Sequence, residues 1–341
     1  MSRDRRSLQY ELMQALSLQD VKNNSTRKSL TTDIKAFAGF CKETGVRKLS
    51  DIVEPVAIVQ AYANRLVADG HYSAGSIHRK LAAPCRALEI NMGDIDKPKR
   101  TQSTITRGRR VDGEVKRGDR EQLQPRYSRL VQLQSVVGIR RSELAHLRGR
   151  DLQRDECGYL CVHVQSGKGG KEQLQRILPA DERVLREIFE GVQPDQRVFS
   201  REEMSNHINL HGLRAGQGQR AYEYYAARLQ ADPEYATQLI KELAARYRTA
   251  SPHGEHPGAV GRWFSEMFGS CKLSDISCSQ YILRGENKSR ALAAGRPVTY
   301  NRLALLAVSV YHLSHWRLDV TVTNYLLASS YIYINVSERD L

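Results

Sequence analysis

The chain has 341 residues, enough for two domains with hydrophobic cores of their own. Hydrophobic residues make up 40% of the sequence and charged residues 26%, which excludes a disordered chain. The net charge is +14 and no run of about 20 apolar residues could span a bilayer, so the sequence predicts a nucleic acid partner rather than a membrane.

The first 95 residues predict a small helical bundle. Apolar residues recur at helical spacing between Ser25 and Gly45. A second helix is expected from Pro55, because the fixed φ of proline suits the first helical turn. A third is expected from about Ser73, and short Gly or Ser connections separate the segments. Basic residues on the predicted exposed faces favour a DNA-binding helical domain over residues 1–95.

Residues 96–120 predict a basic linker between two domains. The segment has nine basic and four acidic residues and few apolar ones. Two interpretations stay open: a solvated hinge, or a strap along a phosphate backbone, where each cationic contact releases counterions. The second interpretation gives five candidate DNA contacts, namely Arg107, Arg109, Arg110, Lys116 and Arg117.

The residues after the linker predict two further helices, Gln122–Val137 and Arg141–Asp151, separated by Gly138. A third helix is expected over residues 181–191, after the capping signal Pro-Ala-Asp.

A β-hairpin is predicted between these helices. Its strands are the β-like runs 158–164 and 174–178, and a Gly-rich turn joins them. The turn contains Lys168 and Lys171, so a hairpin tip could place either ammonium beside a bound phosphate. A basic hairpin tip in solvent is the alternative.

The stretch VGIRRSELAHLRGRDL, which begins at Val137, carries the most informative motif. The guanidinium fork of Arg140 can bind two phosphate oxygens at once, and Glu143 follows at helical spacing, where it can hold neighbouring groups in place. The stretch resembles the first conserved box of the tyrosine recombinase (phage integrase) family, with Arg140 at the position of the catalytic arginine. An ordinary Arg–Glu pair on a helix surface is the alternative.

A second resemblance lies at His211-Gly-Leu-Arg214, which is similar to the His-x-x-Arg box of the same family. Helical spacing puts the two side chains on one face. The resemblance implies that His211 exchanges protons with the tyrosine or the phosphate and that Arg214 completes the charge clamp. The residues after Arg214 depart from the family pattern, and a chance pair at a helix start is the alternative.

The final resemblance covers the stretch from Leu313 to Leu326. The family has an aromatic or imidazole ring about nine residues before its nucleophilic tyrosine. Trp316 lies nine residues before Tyr325, so the spacing favours Trp316. His315 lies ten before it in a Leu-Ser-His run that resembles the family's Leu-Gly-His, so both rings stay candidates. Tyr325 is the candidate nucleophile, and it needs a base or nearby cations because a phenol has an ordinary pKa of about 10. A core tyrosine at a helix start is the alternative.

The hairpin lysine fits the same family. The resemblance implies that Lys168 is the general acid toward the leaving 5′ oxygen, and the Gly-Lys-Gly context favours Lys168 over Lys171.

The order of these pieces implies a fold that is mainly α with a small β-hairpin or sheet. The resemblance implies a helical core-binding domain over residues 1–95, the basic linker 96–120 and an α-rich catalytic domain over residues 121–341. Because 101 positions separate Arg214 from His315, more than the family needs, residues 226–300 are predicted to be an insertion.

The implied activity is that of a site-specific DNA recombinase or integrase that cleaves and rejoins DNA through a 3′-phosphotyrosine. It requires no cofactor and no metal, since the covalent ester conserves the bond energy. The implied partners are double-stranded DNA with specific sites and a homotetramer assembled on it, with no membrane partner. The expected location is the bacterial cytoplasm, at the nucleoid or with a phage or mobile element. Two alternatives stay open: a non-catalytic DNA-binding protein of the same fold, and a type IB-like topoisomerase.

Cysteine usage adds one more expectation. The chain has six cysteines and no Cys-x-x-Cys pair, which favours reduced thiols. A zinc site built from His253, His256, Cys271 and Cys278 is disfavoured because the two cysteines are too far apart for a usual knuckle.

Overall fold

The structure is a computed structural model that describes residues 6–17, 21, 24–100, 117–165, 167, 172–251, 254–269 and 273–327. The chain divides into two compact units, Met1–Arg107 and Gly108–Leu341. The predicted domain limits at residues 95 and 120 stay predictions, because most of the linker lies outside the described residues.

The first unit is helical. Its core is formed by apolar side chains from all four helices, including Phe37, Tyr62 and Leu81. The hydroxyl of Ser73 accepts a hydrogen bond from the backbone of Ser76 and so caps the fourth helix, as its position in the sequence predicts. The helices are α1 (Leu8–Ala15), α2 (Asn24–Glu43), α3 (Pro55–Ala68) and α4 (Ala74–Ala87).

The second unit begins with short helices and a small sheet. Its helices are α5 (Arg117–Gln122), α6 (Ser128–Val137), α7 (Arg141–Leu144), α8 (Glu182–Phe189) and α9 (Arg201–Met204). Strands β1 (Leu152–Arg154), β2 (Leu160–Val164) and β3 (Gln173–Arg176) form an antiparallel sheet in that order. The predicted hairpin is therefore present, and β2 pairs Val164 with Gln173 of β3.

Two predicted helices in this region are wrong in extent. The segment predicted to be helical from Gln122 turns through a 3₁₀ segment, Pro125–Tyr127, before α6 begins at Ser128. Proline cannot donate a backbone hydrogen bond and thus interrupts the helix there. The helix predicted over Arg141–Asp151 ends at Leu144, because the chain then turns into a 3₁₀ segment and β1.

The rest of the second unit is mostly helical. They are α10 (Leu210–Ala231), α11 (Pro233–Ala250), α12 (Ala259–Phe268), α13 (Gly285–Ala293), α14 (Arg302–Tyr311) and α15 (Leu318–Thr321), followed by a π-helical turn, Val322–Leu326. Strands β4 (Gln280–Ile282) and β5 (Thr299–Asn301) form a two-stranded antiparallel sheet.

Helix α14 is the centre of this part of the unit. Every residue from Leu303 to Tyr311 is buried. Helices α10, α11 and α12 and the π-helical turn contribute apolar residues to the same core cluster. The fold over the described residues is therefore mainly α with two small antiparallel sheets, which confirms the predicted fold class. Among the described residues, no helix is both long and apolar enough to cross a membrane.

Candidate active site

Tyr325 lies in the π-helical turn near the end of the described chain. A π-helical turn is rare, and such turns occur frequently at functional sites. Two side chains of α10 and one from the segment between α14 and α15 surround the phenol ring. The imidazole centroids of His211 and His315 lie 5.4 Å and 5.2 Å from the ring centroid, and the guanidinium carbon of Arg214 lies 5.5 Å from it. The sequence-predicted residues of the second and third boxes therefore meet at one tyrosine.

The structure separates the two candidate rings next to Tyr325. His315 Nε2 and the Tyr325 hydroxyl share a hydrogen bond of 2.6 Å. Trp316 points elsewhere, with its ring 5.9 Å from that of Tyr247 and 5.6 Å from that of Trp263. His315 is thus the ring at the tyrosine, whereas Trp316 belongs to an aromatic cluster.

The backbone around His315 is held in an unusual conformation. Ser314 has φ +50° and Trp316 has φ +58°, so His315 stands between two residues in the left-handed region. Ser309 of α14, which is fully buried, fixes this segment through its backbone and side chain. Its carbonyl accepts from the backbone of His315 at 2.9 Å, and its hydroxyl accepts from the backbone of Arg317 at 2.8 Å.

A glutamine of β3 holds the same segment from the other side. Gln175 donates through Nε2 to the carbonyl of His312 at 2.8 Å and accepts through Oε1 from the hydroxyl of Ser314 at 3.0 Å. Neither Ser309 nor Gln175 appears among the sequence-predicted residues. Nothing in the sequence marks them, because one lies in an apolar run and the other in a short strand.

Arg214 is the buried cation of the site, with 1% of its surface exposed. Its Nη2 donates to the carbonyl of Leu313 at 2.7 Å, and Nη1 lies 3.9 Å from Oε2 of Glu143. Within the described part of the chain, neither Nε nor Nη1 has a hydrogen-bond partner. Burial lowers the pKa of Arg214, an effect that the Tyr325 and Glu143 side chains partly oppose. A guanidinium with free donors in a dry site favours binding an anion.

Arg140 joins this arrangement through Glu143, whose side chain is 2% exposed. Glu143 Oε1 accepts from Nη1 of Arg140 at 2.6 Å, and Oε2 accepts from the Arg140 backbone at 2.7 Å. The Arg140 side chain is 22% exposed. Glu143 thus fixes one partly exposed arginine and lies beside the buried Arg214.

The local fold explains how the first box reaches α10. Gly138 ends α6 with φ +67°, a conformation that glycine adopts without strain. A Cβ at this position would lie 3.4 Å from Cγ of Arg214, so the chain passes close over α10 there. His211, in the first turn of α10, is exposed beside the site.

Several predicted contacts lie outside the described residues: Lys168, Lys171, Arg107, Arg109, Arg110 and Lys116. Arg117 is described, with 68% of its side chain exposed and its Nε bound to Oε1 of Glu121 at 2.7 Å. A backbone hydrogen bond from His207, together with Arg117, lowers the pKa of Glu121 to about 2. Arg117 is therefore already partnered by a carboxylate that stays ionised.

For zinc, two of the four residues that were weighed, His253 and Cys271, also lie outside the described residues. The part of the chain that the structure describes contains no group of three or more His, Cys, Asp or Glu side chains suited to a metal.

A buried histidine that the sequence did not single out lies behind the site. His312 is fully buried, with Nδ1 3.0 Å from the amide nitrogen of Gln217 and Nε2 3.3 Å from the hydroxyl of Tyr225. An amide nitrogen only donates, so Nδ1 accepts and the ring proton resides on Nε2. Burial, with Arg176 and Arg220 nearby, lowers the pKa of His312 to about 3.

Because of His312, we expect the second unit to be less stable in acid. Unfolded histidine takes up a proton near pH 6.5 and folded His312 only near pH 3, so the free energy of unfolding falls as pH drops between these values. From about pH 7.5 to about pH 4.5, His312 should account for a loss of about 2 to 3 kcal/mol. Urea unfolding at both pH values should show a smaller loss for His312→Asn than for the wild type. Fluorescence reports this unit alone, because both tryptophans, Trp263 and Trp316, lie in it. Equal losses in the two proteins would contradict the prediction.

Comparisons with known proteins do not assign the chain to a family. No family model and no curated protein matches the chain. The solved structures with some similarity include one described as the crystal structure of XerA recombinase. It is 16% identical, with 62% of this chain and 83% of that chain covered, at a TM-score of 0.22.

Proposed function

We propose that the protein is a DNA strand-transfer enzyme in which Tyr325 attacks a phosphodiester. The observation that carries the proposal is the convergence on Tyr325 of His211, Arg214 and His315, with the His315 ring nitrogen 2.6 Å from the hydroxyl. A hydroxyl bound to a ring that can take its proton, beside an arginine with free donors, is the arrangement that nucleophilic attack on an anion needs.

The reaction is a transesterification. The Tyr325 oxygen forms a bond to phosphorus, the bond from phosphorus to the 5′ oxygen breaks, and the phenol proton passes to His315 Nε2. Arg214 and Arg140 neutralise the non-bridging oxygens, and the exposed His211 donates to one of them. Lys168, which lies outside the described residues, is proposed to protonate the departing 5′ oxygen. A 3′-phosphotyrosine and a free 5′ hydroxyl result, and the reverse reaction rejoins a strand.

Access to the tyrosine is part of the proposal. Tyr325 is 4% exposed, so a DNA phosphate does not reach its oxygen without a local movement. The short α15 and the π-helical turn form the segment that carries the tyrosine. A π-helical turn has an extra residue relative to an α-helical turn, so a small change of register would turn the phenol outward.

The direct test is to trap the covalent intermediate. The protein is incubated with sheared genomic DNA of its source, the reaction is stopped with detergent, and DNA fragments linked to protein are recovered and sequenced. An enriched sequence is then built into a duplex with a nick beside the cleavage position, so that the short product diffuses away and the adduct persists.

The expected result is a protein–DNA band that survives denaturation and disappears on protease treatment. Tight DNA binding with no such band would overturn the proposal in favour of a non-catalytic DNA-binding protein. A band together with relaxation of supercoiled DNA that lacks the paired sites would support a topoisomerase instead of a recombinase.

A further inference from the structure

The predicted insertion, residues 226–300, sends two aromatic side chains to the active-site segment. Tyr247 of α11 and Trp263 of α12 stack with ring centroids 4.4 Å apart and an angle of 9° between planes. Trp316 packs against both rings. Trp263 is 4% exposed, so this contact belongs to the core of the unit and not to its surface.

Trp316 also has an unfavourable backbone conformation. A bulky side chain at φ +58° is an outlier that persists only where surrounding contacts hold it in place. The residue two positions before it, Ser314, has φ +50°. The contacts that hold this stretch are the hydrogen bonds of Ser309 and Gln175 on one side and the aromatic ring of Trp316 on the other.

We propose that Trp316 is a positioning residue, anchored by Tyr247 and Trp263 of the predicted insertion, that aims the His315 imidazole at the hydroxyl of Tyr325. The role in catalysis rests on the proposed function, whereas the role in placing His315 does not. The insertion thus supports the catalytic geometry from within the chain. Because His315 is the immediate neighbour of Trp316, loss of the anchored ring frees the backbone that orients it.

The test compares Trp316→Ala with two other substitutions in the same aromatic region. Trp316→Phe keeps an aromatic ring in the cluster. Phe268→Ala removes a core ring of α12 that stacks on Phe264, whereas the ring contacts of Trp316 are with Tyr247 and Trp263. Thermal unfolding of each variant measures the structural damage separately.

The first readout is adduct formation on the nicked duplex. We expect Trp316→Ala to slow it about 10- to 100-fold, because a small displacement of a reacting group has effects of this size. Trp316→Phe should recover most of the rate. The rate of adduct formation in Phe268→Ala should stay within about 3-fold of the wild-type rate. We expect this even if Phe268→Ala lowers the melting temperature as much as Trp316→Ala does. An equal loss of rate in Phe268→Ala and Trp316→Ala would overturn the inference.

The second readout needs no DNA. In protein labelled with ¹⁵N-histidine, Tyr325→Phe should shift the His315 Nε2 resonance, because it removes the hydrogen-bond partner of that nitrogen. In the Trp316→Ala background the same change should have no effect, since the two groups no longer meet. A shift of the same size in both backgrounds would overturn the inference even if the wild type forms adducts. If the wild type forms no adduct and the coupling still depends on Trp316, the positioning role stands and the proposed function fails.

Discussion

Tyr325→Phe is expected to abolish covalent adduct formation on the nicked duplex, a loss of at least about 10⁴-fold. Phenylalanine keeps the ring and thereby its packing against His211 and His315, so only the oxygen that would bond to phosphorus is removed. DNA binding should change little, because the hydroxyl is bound to His315 in the free protein. The measurement is the intensity of the denaturation-resistant band, with binding followed separately by gel shift.

Matched controls come from the tyrosines that follow in the sequence, Tyr331 and Tyr333, which lie outside the described residues. Each Tyr→Phe change at these positions should leave the adduct unchanged. A band that persists in Tyr325→Phe and disappears in one of the controls would assign the nucleophile to the other tyrosine. Mass spectrometry of the adduct after proteolysis would identify the modified peptide.

The helical periodicity of the sequence predicted most of the helices of the first unit. Apolar spacing, the capping Ser73 and the first-turn Pro55 predict helices that the structure contains, because each signal acts within one or two turns. The same reasoning extended the helix before Val137 too far upstream, across Pro125. Strands β1, β4 and β5 were not predicted, since three residues each are too few to show an alternating pattern.

The sequence predicted which residue types surround Tyr325, but it did not predict which of the two candidate rings contacts the hydroxyl. The spacing to Tyr325 favoured Trp316 and the Leu-Ser-His pattern favoured His315, so both stayed candidates. A count of residues says nothing about the two left-handed residues on either side of His315. In the structure, hydrogen bonds from Ser309 and Gln175 hold the segment that carries His315, and these residues are 6 and 140 positions away from it in sequence. Contacts of that kind depend on the tertiary fold and leave no local pattern.

Arg214→Met should separate activity from stability. The substitution removes the buried cation and should slow adduct formation about 10²- to 10³-fold, the range found when one charge-stabilising donor is lost. The free energy of unfolding of the second unit should change by no more than about 1 kcal/mol. Arg214 gives up one hydrogen bond, to Leu313, and a 3.9 Å ion pair with Glu143, which keeps Arg140 as its partner. Two nitrogens of Arg214 have no hydrogen-bond partner among the described residues, and an apolar side chain of similar length relieves their burial. Urea unfolding followed by tryptophan fluorescence measures the second quantity.

Arg220 on the same helix provides the opposite case. Its Nη2 donates to both carboxylate oxygens of Asp181, at 2.5 Å and 2.6 Å, so its charge is already neutralised. Arg220→Met should therefore destabilise the unit by about 1 to 3 kcal/mol, because the partly buried Asp181 loses its partner. The adduct rate per folded molecule should stay within about 3-fold of the wild type.

If Arg214→Met instead destabilises the protein as much as Arg220→Met and leaves the rate unchanged, the buried guanidinium serves the fold and not a DNA phosphate. The two arginines of α10 therefore compare directly a buried cation with unfilled donors and one that is already paired with a carboxylate.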